Sequence, residues 1–258
     1  MSGRGGGGVD ARTRLASHCG RIAALTRREL LSCLRAPAFY GAAVFFLAFC
    51  SAWLFFFSNF FIMNVATLRP YFAMFPVAFV IVVPIITMKS WAEERKTGSL
   101  ELLLTLPFSE WDLVLGKFLS AFATLAAMLA LTLPLPMSLL PMGDFDVGVI
   151  VSEYVGALLF GAAATALGLL LSSLSKNQAG SFLGTAVALM VTLLIGHFNM
   201  NAGLPHWLSE AINFLSLPFH FESFSRGLLD SRAFAYYLLS AFLFLFLTTR
   251  VILRRKWG

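Results

Sequence analysis

The chain has 258 residues, of which 59% are hydrophobic and only 12% are charged. Soluble domains carry about 25% charged residues, because a folded chain in water must cover its surface with polar groups. This composition excludes an ordinary soluble protein and predicts a chain that lies mostly in lipid. The net charge is +6. In a chain that lies mostly in lipid, the positions of the basic residues are more informative than this sum, so no nucleic-acid partner is expected.

Residues 1–20 are predicted to be disordered, because the opening sequence MSGRGGGG has nothing to bury. An amphipathic helix is predicted over residues 21–36, with arginines on one side and apolar residues mostly on the other. Such a helix lies in the membrane surface with its cations toward headgroups and water. A short solvated helix that leads into the first membrane span is the alternative. Pro37 is expected to end this helix.

Six apolar segments follow, each close to the roughly 20 residues that cross the hydrocarbon core of a bilayer. Lys117 lies near the start of the third segment, where its side chain is expected to reach the membrane surface. The predicted fold is an all-α, polytopic membrane protein with an interfacial helix at the N-terminus. The predicted spans cover residues 39–63, 71–88, 113–140, 154–174, 182–198 and 233–253.

The distribution of basic residues predicts the orientation in the membrane. With the N-terminus in the cytoplasm, 16 of the 19 basic residues lie on the cytoplasmic side. Only Arg69, Arg226 and Arg232 then lie outside. Since cytoplasmic loops carry an excess of Lys and Arg, both termini are predicted to be cytoplasmic, in a bacterial inner membrane.

Catalytic motifs are not found in the sequence. It contains no GxxxxGK[ST] phosphate loop, no HExxH or CxxC metal motif and no GxSxG nucleophile. His197, His206 and His220 lack a ligand spacing, and the three cysteines indicate neither a disulfide framework nor a zinc site. No metal, no directly bound cofactor and no enzymatic activity are expected. The predicted spans also lack the ionisable residues that ion-coupled transporters use, so any energy for transport must come from a partner.

The segment 89–107, KSWAEERKTGSLELLLTLP, follows the second predicted span and is unusually rich in charge. Gly98 is expected to break a first short helix and Ser99 to cap a second. Residues 109–112, SEWD, are predicted to form a capping box that starts the third span. This charged segment is either a docking surface or a solvated loop with internal ion pairs such as Lys89 with Glu93.

The sequence EERKTGSLELLLTLP from Glu93 to Pro107, followed by Leu115-Gly116-Lys117, resembles the first cytoplasmic loop of ABC-2 type transporter permeases. The N-terminal sequence RRELLSCLRAP, the six spans and the late LPFHFESFSRGLLD sequence agree with this resemblance. Together they look most like the gliding-motility-associated branch of these permeases. The resemblance implies a permease domain over residues 21–258.

In that family the loop is a coupling helix that fits a groove on a separate cytoplasmic ATPase, and two six-span subunits work with two ATPases. The resemblance therefore implies an ABC ATPase and a second permease subunit, alike or different, as partners, and ATP and Mg²⁺ bound by the ATPase. The residues at the coupling positions are Glu93, Glu94, Arg95, Gly98, Ser99 and Glu101.

Residues 199–232 are too short and too broken for two spans, so re-entrant or surface-lying helices on the outer side are predicted. In ABC-2 relatives, short helices at this position help to close the outer end of the pathway. Glu222 and Arg226 could equally form only a helix-surface ion pair, because they are four residues apart. The candidate gate residues are Phe219, Phe221, Glu222, Phe224 and Arg226.

The leading hypothesis is therefore the transmembrane permease subunit of an ATP-driven exporter, without catalysis of its own. The alternative is a membrane anchor or assembly subunit of a motility or secretion machine, in which the charged loop recruits a partner but nothing is transported. A stand-alone channel or secondary transporter is disfavoured by the uncharged spans.

Overall fold

The computed structural model describes residues 7–58, 67–98, 109–201, 216–227 and 230–256. Within these ranges the chain is helical, and no strand is present. Eleven α-helices are described: α1 Gly7–Arg35, α2 Pro37–Ala52, α3 Arg69–Phe72, α4 Phe75–Thr87, α5 Ala92–Lys96, α6 Glu110–Thr132, α7 Pro134–Leu139, α8 Val147–Leu174, α9 Gln178–Asn201, α10 Leu217–Ser225 and α11 Ser231–Lys256.

Six helical stretches are long and apolar enough to cross a membrane, which confirms the predicted number of spans. Several are longer than predicted, because the helices continue beyond their apolar centres, and the end of the first predicted span at 59–63 lies outside the described residues. The stretches are Pro37–Phe57, Arg69–Lys96, Glu110–Met142, Val147–Leu174, Gln178–Ile195 and Ser231–Arg254.

The N-terminal helix differs from the prediction. Helix α1 begins at Gly7, so the disorder predicted for residues 1–20 is corrected for residues 7–20, and the helix is longer than the predicted 21–36. Past the glycines, the sequence DARTRLASH contains no proline and several good helix formers, which allows the helix to extend. Within the predicted amphipathic part, Arg27 and Arg28 are exposed, whereas Leu25 is buried.

Local sequence signals set the ends of several helices. Pro37 is the first residue of α2, where its missing N–H costs no hydrogen bond. Ser109 and Asp112 form the predicted capping box at the start of α6, in which the backbone N–H of Ser109 donates to Asp112 Oδ2 at 3.4 Å. Asp146 caps α8 by accepting from the backbone N–H of Gly148 at 2.9 Å.

Helix α8 is the centre of the bundle. It packs against α4, α6, α9, α10 and α11, and most of its residues are buried. Small residues make this close packing possible, as the sequence predicts: Ala157, Gly161 and Thr165 are all buried. A Cβ atom added to Gly161 would collide with Leu125 of α6. By contrast, α2 and α9 are the least covered spans.

The contacts define two opposite ends of the bundle. At one end, called the α1 end here, the first part of α6 contacts α1, and Trp111 stacks on Phe242 in the middle of α11 with ring centres 6.3 Å apart. At the other end, called the α10 end, α10 packs against the start of α8 and the start of α11, where Phe224 contacts Phe234. The segment after the second span lies at the α1 end.

Candidate functional site

The charged segment after the second span forms a short elbow. Helix α4 ends at Thr87, residues 88–91 form turns, and α5 begins at Ala92. Acidic residues fill the first turn of α5 and basic residues its last turn, an order that the helix dipole favours. Gly98 then adopts a left-handed conformation with φ of 70°, which a residue with a side chain rarely adopts. The break predicted at Gly98 is therefore present.

Lys117 of α6 is the main contact of this elbow with the bundle. Its side chain is only 2% exposed, and its Nζ donates to Glu94 Oε1 at 2.7 Å and to the carbonyl oxygen of Ser90 at 2.7 Å. Glu29 of α1 lies 3.5 Å from the same Nζ. The ammonium group also lies 4.9 Å from the ring centre of Trp91.

The side chain of Lys117 is therefore enclosed by the protein and not exposed at the surface of the bundle, as snorkelling would require. The amphipathic helix α1 lies over this part of α6, and the elbow covers it from the other side, so the lysine is enclosed by carboxylates instead. A buried cation requires such partners, because its removal from water costs several kcal/mol. Glu29, Glu94 and Lys117, named the Lys117 cluster below, thus join α1, α5 and α6 at one point.

The residue before Lys117 supports the same contact. A Cβ atom on Gly116 would lie 2.6 Å from Leu25 Cδ2, so only a glycine lets α1 approach α6 this closely. Thr26 Oγ1 also donates to the carbonyl oxygen of Gly116 at 3.3 Å. The sequence Leu115-Gly116-Lys117 therefore combines a close helix contact with a buried charge.

Arg95 joins the elbow to the central helix. Its Nη1 donates to the carbonyl oxygen of Ser175 at 3.0 Å, directly after the end of α8, and lies 3.5 Å from the carbonyl oxygen of Leu174. A cation at the C-terminal end of a helix satisfies carbonyl groups that have no partner within the helix. The backbone N–H of Trp91 also donates to Ser172 Oγ at 3.2 Å.

The predicted coupling residues therefore divide into two groups. Glu94 and Arg95 point into the bundle, while Glu93 and Gly98 are exposed. The alternative ion pair between Lys89 and Glu93 is not formed, although both residues are within the described part of the chain. Two further predicted coupling residues, Ser99 and Glu101, lie outside the described residues, as do residues 99–107 of the predicted coupling segment.

At the α10 end, the candidate gate residues also divide into two groups. Phe221 and Phe224 are buried, at 5% and 0% exposure, and pack against the interior of the bundle. Phe219 is 47% exposed. Glu222 and Arg226 are exposed and form an ion pair at 2.8 Å, which is the alternative that their spacing allows. Residues 202–215 and 228–229 of the predicted re-entrant region lie outside the described residues.

Glu153 is a buried residue at this end that the sequence analysis missed. It is 0% exposed on α8, and Ser225 Oγ of α10 donates to its Oε1 at 3.0 Å. Its Oε2 has no hydrogen-bond partner among the described residues. The prediction that the spans are essentially free of ionisable residues is thus corrected by Glu153. If Asp146 had been recognised as a helix cap in the sequence, the fourth span would have been predicted to begin before Glu153 instead of at Tyr154.

The contact between α8 and α10 is also close one turn beyond Glu153, at Gly156. A Cβ atom on Gly156 would lie 2.7 Å from the ring of Phe224, so this glycine allows α10 to rest directly on α8. His220 of α10 stacks on Tyr236 of α11 with ring centres 3.9 Å apart. Burial lowers the pKa of the His220 imidazole below its usual value of 6.5.

Among the described residues, no group of His, Cys, Asp or Glu could hold a metal ion. Of the three histidines considered from the sequence, only the side chain of His220 is described, and it contacts aromatic rings. The side chain of His197 and all of His206 lie outside the described residues.

Comparison with known proteins gives two findings. The family described as ABC-2 family transporter protein matches residues 55–217. A relative in Escherichia coli K12, the probable multidrug ABC transporter permease YbhR, is 30% identical over 131 residues, which cover 50% of this chain and 34% of the relative. The protein of the same name in Escherichia coli O157:H7 matches to the same extent. The match thus spans about a third of these curated relatives.

Proposed function

Because this chain belongs to the ABC-2 family of transporter proteins, we propose that it is the membrane-spanning subunit of an ATP-driven exporter. In this proposal the α5 elbow contacts a separate ATPase, and a second permease subunit completes the pathway. ATP and Mg²⁺ are bound by the ATPase, so this chain has no catalysis of its own. Both termini and the α1 end face the cytoplasm of a bacterial cell, in its inner membrane.

The observation that supports coupling is the way in which the elbow is held. Its buried side joins three helices: Glu94 contacts Lys117 of α6 and Arg95 contacts the end of α8, while Lys117 also contacts Glu29 of α1. A charged segment that only solvated a loop would not need these contacts. A partner that displaces the elbow would instead move α1, α6 and α8 with it, because packed helices transmit displacement.

Helix α8 provides a route to the opposite end of the bundle. Its 28 residues correspond to about 42 Å at 1.5 Å per residue, which is enough to cross a bilayer. One end is held by Arg95, and the other contacts α10 through Glu153 and Phe224. In this proposal, a displacement at the elbow reaches the buried face of α10 through α8, and Phe221 and Phe224 act as the gate.

The exposed side of the elbow provides the contact for the ATPase. Glu93 and Lys96 are exposed on α5, and neither forms an ion pair within the described chain. Substitution of these two residues changes the docking surface without disturbing the buried contacts. Charge reversal of Glu94 and Arg95 would instead disrupt the packing of the elbow itself, so it could not separate docking from folding.

The test is reconstitution of the permease with a candidate ATPase, chosen as the product of a neighbouring gene that carries a GxxxxGK[ST] motif. Drugs are suitable first substrates, because the E. coli relative is named a probable multidrug ABC transporter permease. The Glu93→Lys/Lys96→Glu variant should lose co-purification with the ATPase and ATP-dependent substrate movement in vesicles. The matched control is Glu222→Lys/Arg226→Glu, which reverses an exposed pair at the α10 end and should retain binding.

Two outcomes would contradict the proposal. If the wild-type chain binds the ATPase but moves no substrate, the protein is an anchor or assembly subunit, as in a motility or secretion machine. If Glu93→Lys/Lys96→Glu binds and transports like the wild type, the exposed side of the elbow is not the contact. Membership of the gliding-motility branch would be supported by motility genes beside the permease gene.

A further inference from the structure

A cavity of about 360 Å³ lies between α1, the end of α4, the elbow and α6. Neither the family nor the proposed coupling assigns a role to it. Its volume is at the lower end of the range of about 300–1,000 Å³ that is typical of small-molecule pockets. The cavity therefore has room for a small polar group rather than for a whole large ligand.

Two walls of the cavity change from charged to apolar in the same direction. Along the first wall, Arg28 of α1 is followed by Phe39 in the first span. Along the second wall, Ile85 in the second span is followed by Lys89 and then Glu93 in the elbow. Because the spans enter the hydrocarbon, the apolar end faces the lipid tails and the charged end lies at headgroup level. Such a lining suits an amphiphile.

The charges of the lining indicate the type of headgroup. The lining contains three basic side chains and three carboxylates, so its formal charges cancel. Within the Lys117 cluster, one ammonium group is paired with the two carboxylates of Glu29 and Glu94, so the cluster keeps a formal charge of −1. Arg28, Lys89 and Glu93 carry the balancing +1. Lys89 and Glu93 form no ion pair with any described residue, and the same holds for Arg28. The cavity thus offers both signs of charge to a ligand that is itself neutral overall.

We propose that this cavity binds a zwitterionic phospholipid with a primary ammonium headgroup. Arg28 and Lys89 bind the phosphate, and Glu93 binds the ammonium group. The acyl chains leave along Phe39, Ile85 and Ile86 into the bilayer. This inference goes beyond the proposed function, since it requires only that the helices cross a membrane.

The lining favours a primary ammonium over a quaternary one. An ammonium group donates up to three hydrogen bonds, which a carboxylate such as that of Glu93 accepts. A trimethylammonium group has no N–H donor and is usually bound in a cage of aromatic rings. Among the described residues that line the cavity, Phe39 is the one aromatic residue. An anionic phospholipid has no ammonium group in its headgroup. Its negative charge would therefore lie against the carboxylates of the lining with no positive group of its own to pair with them.

Cys33 provides a direct readout, because it lines the cavity. Cys50 is 0% exposed and should not react, and Cys19→Ser removes the remaining thiol. The rate of maleimide modification at Cys33 is measured in nanodiscs of phosphatidylethanolamine, phosphatidylcholine or phosphatidylglycerol. We expect slower modification in phosphatidylethanolamine than in the other two lipids. Equal rates in all three would overturn the proposal.

Variants test the binding itself. Native mass spectrometry of the detergent-purified permease measures retained phosphatidylethanolamine. Glu93→Gln should lower its retention about tenfold, the effect of losing a hydrogen bond to a charged group. Ser32→Trp, whose side chain would fill the cavity, should abolish retention. Ala24→Trp is the control, since Ala24 is also exposed on α1 but does not line this cavity.

Unchanged retention in both Glu93→Gln and Ser32→Trp would overturn the proposal, as would equal retention of phosphatidylcholine and phosphatidylethanolamine by the wild type. Both experiments use the permease without ATPase or ATP. Glu93 takes part in both proposals, so Lys96→Glu alone tests the ATPase contact and Ser32→Trp alone tests the lipid site. With these two variants, failure of either proposal leaves the other intact.

Discussion

Lys117 Nζ lies 2.7 Å from Glu94 Oε1, so a lysine of the third span neutralises a carboxylate of the elbow. The lysine is 2% exposed, whereas Glu94 is 21% exposed. Removal of Lys117 therefore affects Glu94 less than removal of Glu94 affects Lys117. Glu94 can still contact water, but Lys117 would keep a buried charge whose one remaining carboxylate is the more distant Glu29, beside the neutral carbonyl of Ser90 and ring of Trp91.

This asymmetry predicts the effect of substitutions on unfolding. Glu94→Gln should lower the free energy of unfolding by about 3 kcal/mol, because it leaves a poorly compensated buried cation. Lys117→Met should cost less, because Glu94 and Glu29 remain partly accessible to water. The double variant should be more stable than Glu94→Gln alone. Unfolding in mixed detergent micelles measures all three, and additive effects would contradict this account.

The link between the elbow and α8 can be tested separately. Arg95→Met removes the donors to the carbonyl oxygens of Ser175 and Leu174. We expect faster backbone hydrogen exchange in residues 88–98 and weaker ATP-dependent transport, with the bundle still folded. Lys96→Met on the same short helix is the control for hydrogen exchange only, because Lys96 is exposed but belongs to the proposed ATPase contact. Equal exchange in both variants would show that Arg95 does not hold the elbow.

The close contact of α8 with α10 predicts a steric effect. Gly156→Ala places a Cβ atom 2.7 Å from the ring of Phe224, so α10 must move away from α8. We expect a loss of about 1–3 kcal/mol in the free energy of unfolding, as for other overpacked sites. Gly184→Ala is the matched control, since no atom lies within 4 Å of its added Cβ. Both changes gain similar helix propensity, so their difference reports the contact.

Ser225 and Glu153 form a buried polar pair whose removal can be tested one residue at a time. Ser225→Ala should lower the free energy of unfolding by about 1–3 kcal/mol, because it removes the donor to Glu153 Oε1. Ser225→Ala combined with Glu153→Met should restore most of this loss, since apolar replacement of both partners is nearly neutral. Thermal unfolding of the purified protein compares the variants. A double variant less stable than Ser225→Ala would argue that Glu153 has further partners.

His220 predicts a pH dependence of stability. Burial lowers its pKa in the folded protein below the usual 6.5, although the carbonyl of Ser216 and the charge of Asp230 oppose this change. The unfolded chain therefore binds a proton first as the pH falls, and stability decreases from about pH 6.5 downward. His220→Phe keeps the ring stacked on Tyr236 and should flatten this part of the profile. Thermal unfolding as a function of pH measures both, and parallel profiles would exclude His220 as the cause.

The six spans could be predicted because crossing lipid requires a long apolar helix, and this requirement is visible in the sequence alone. The capping box at Ser109 and the break at Gly98 could also be predicted, because they depend on neighbouring residues. The burial of Lys117 could not be predicted, since it depends on α1 lying over α6. A pattern along one helix gives the position of a charge but not what another helix places beside it.

Glu153 shows a second limit of the sequence analysis. The span was predicted to begin at Tyr154, which left Glu153 outside it, although residues 147–151, VGVIV, are also apolar. In the structure, the cap at Asp146 starts the helix earlier, and Ser225 from a distant segment accommodates the carboxyl group. The gate candidates show the same limit. Their spacing in the sequence allowed the ion pair of Glu222 with Arg226 to be predicted. Which phenylalanines face inward depends on packing against other helices and could not be predicted.

The two-sided construction of the elbow has a consequence for the evolution of transporters. Under the proposed coupling, substitutions at Glu93 and Lys96 would alter what the cytoplasmic motor recognises, while Glu94 and Arg95 would preserve the architecture beneath. A permease built in this way could exchange one motor for another through a few surface substitutions, without remodelling its transmembrane helices.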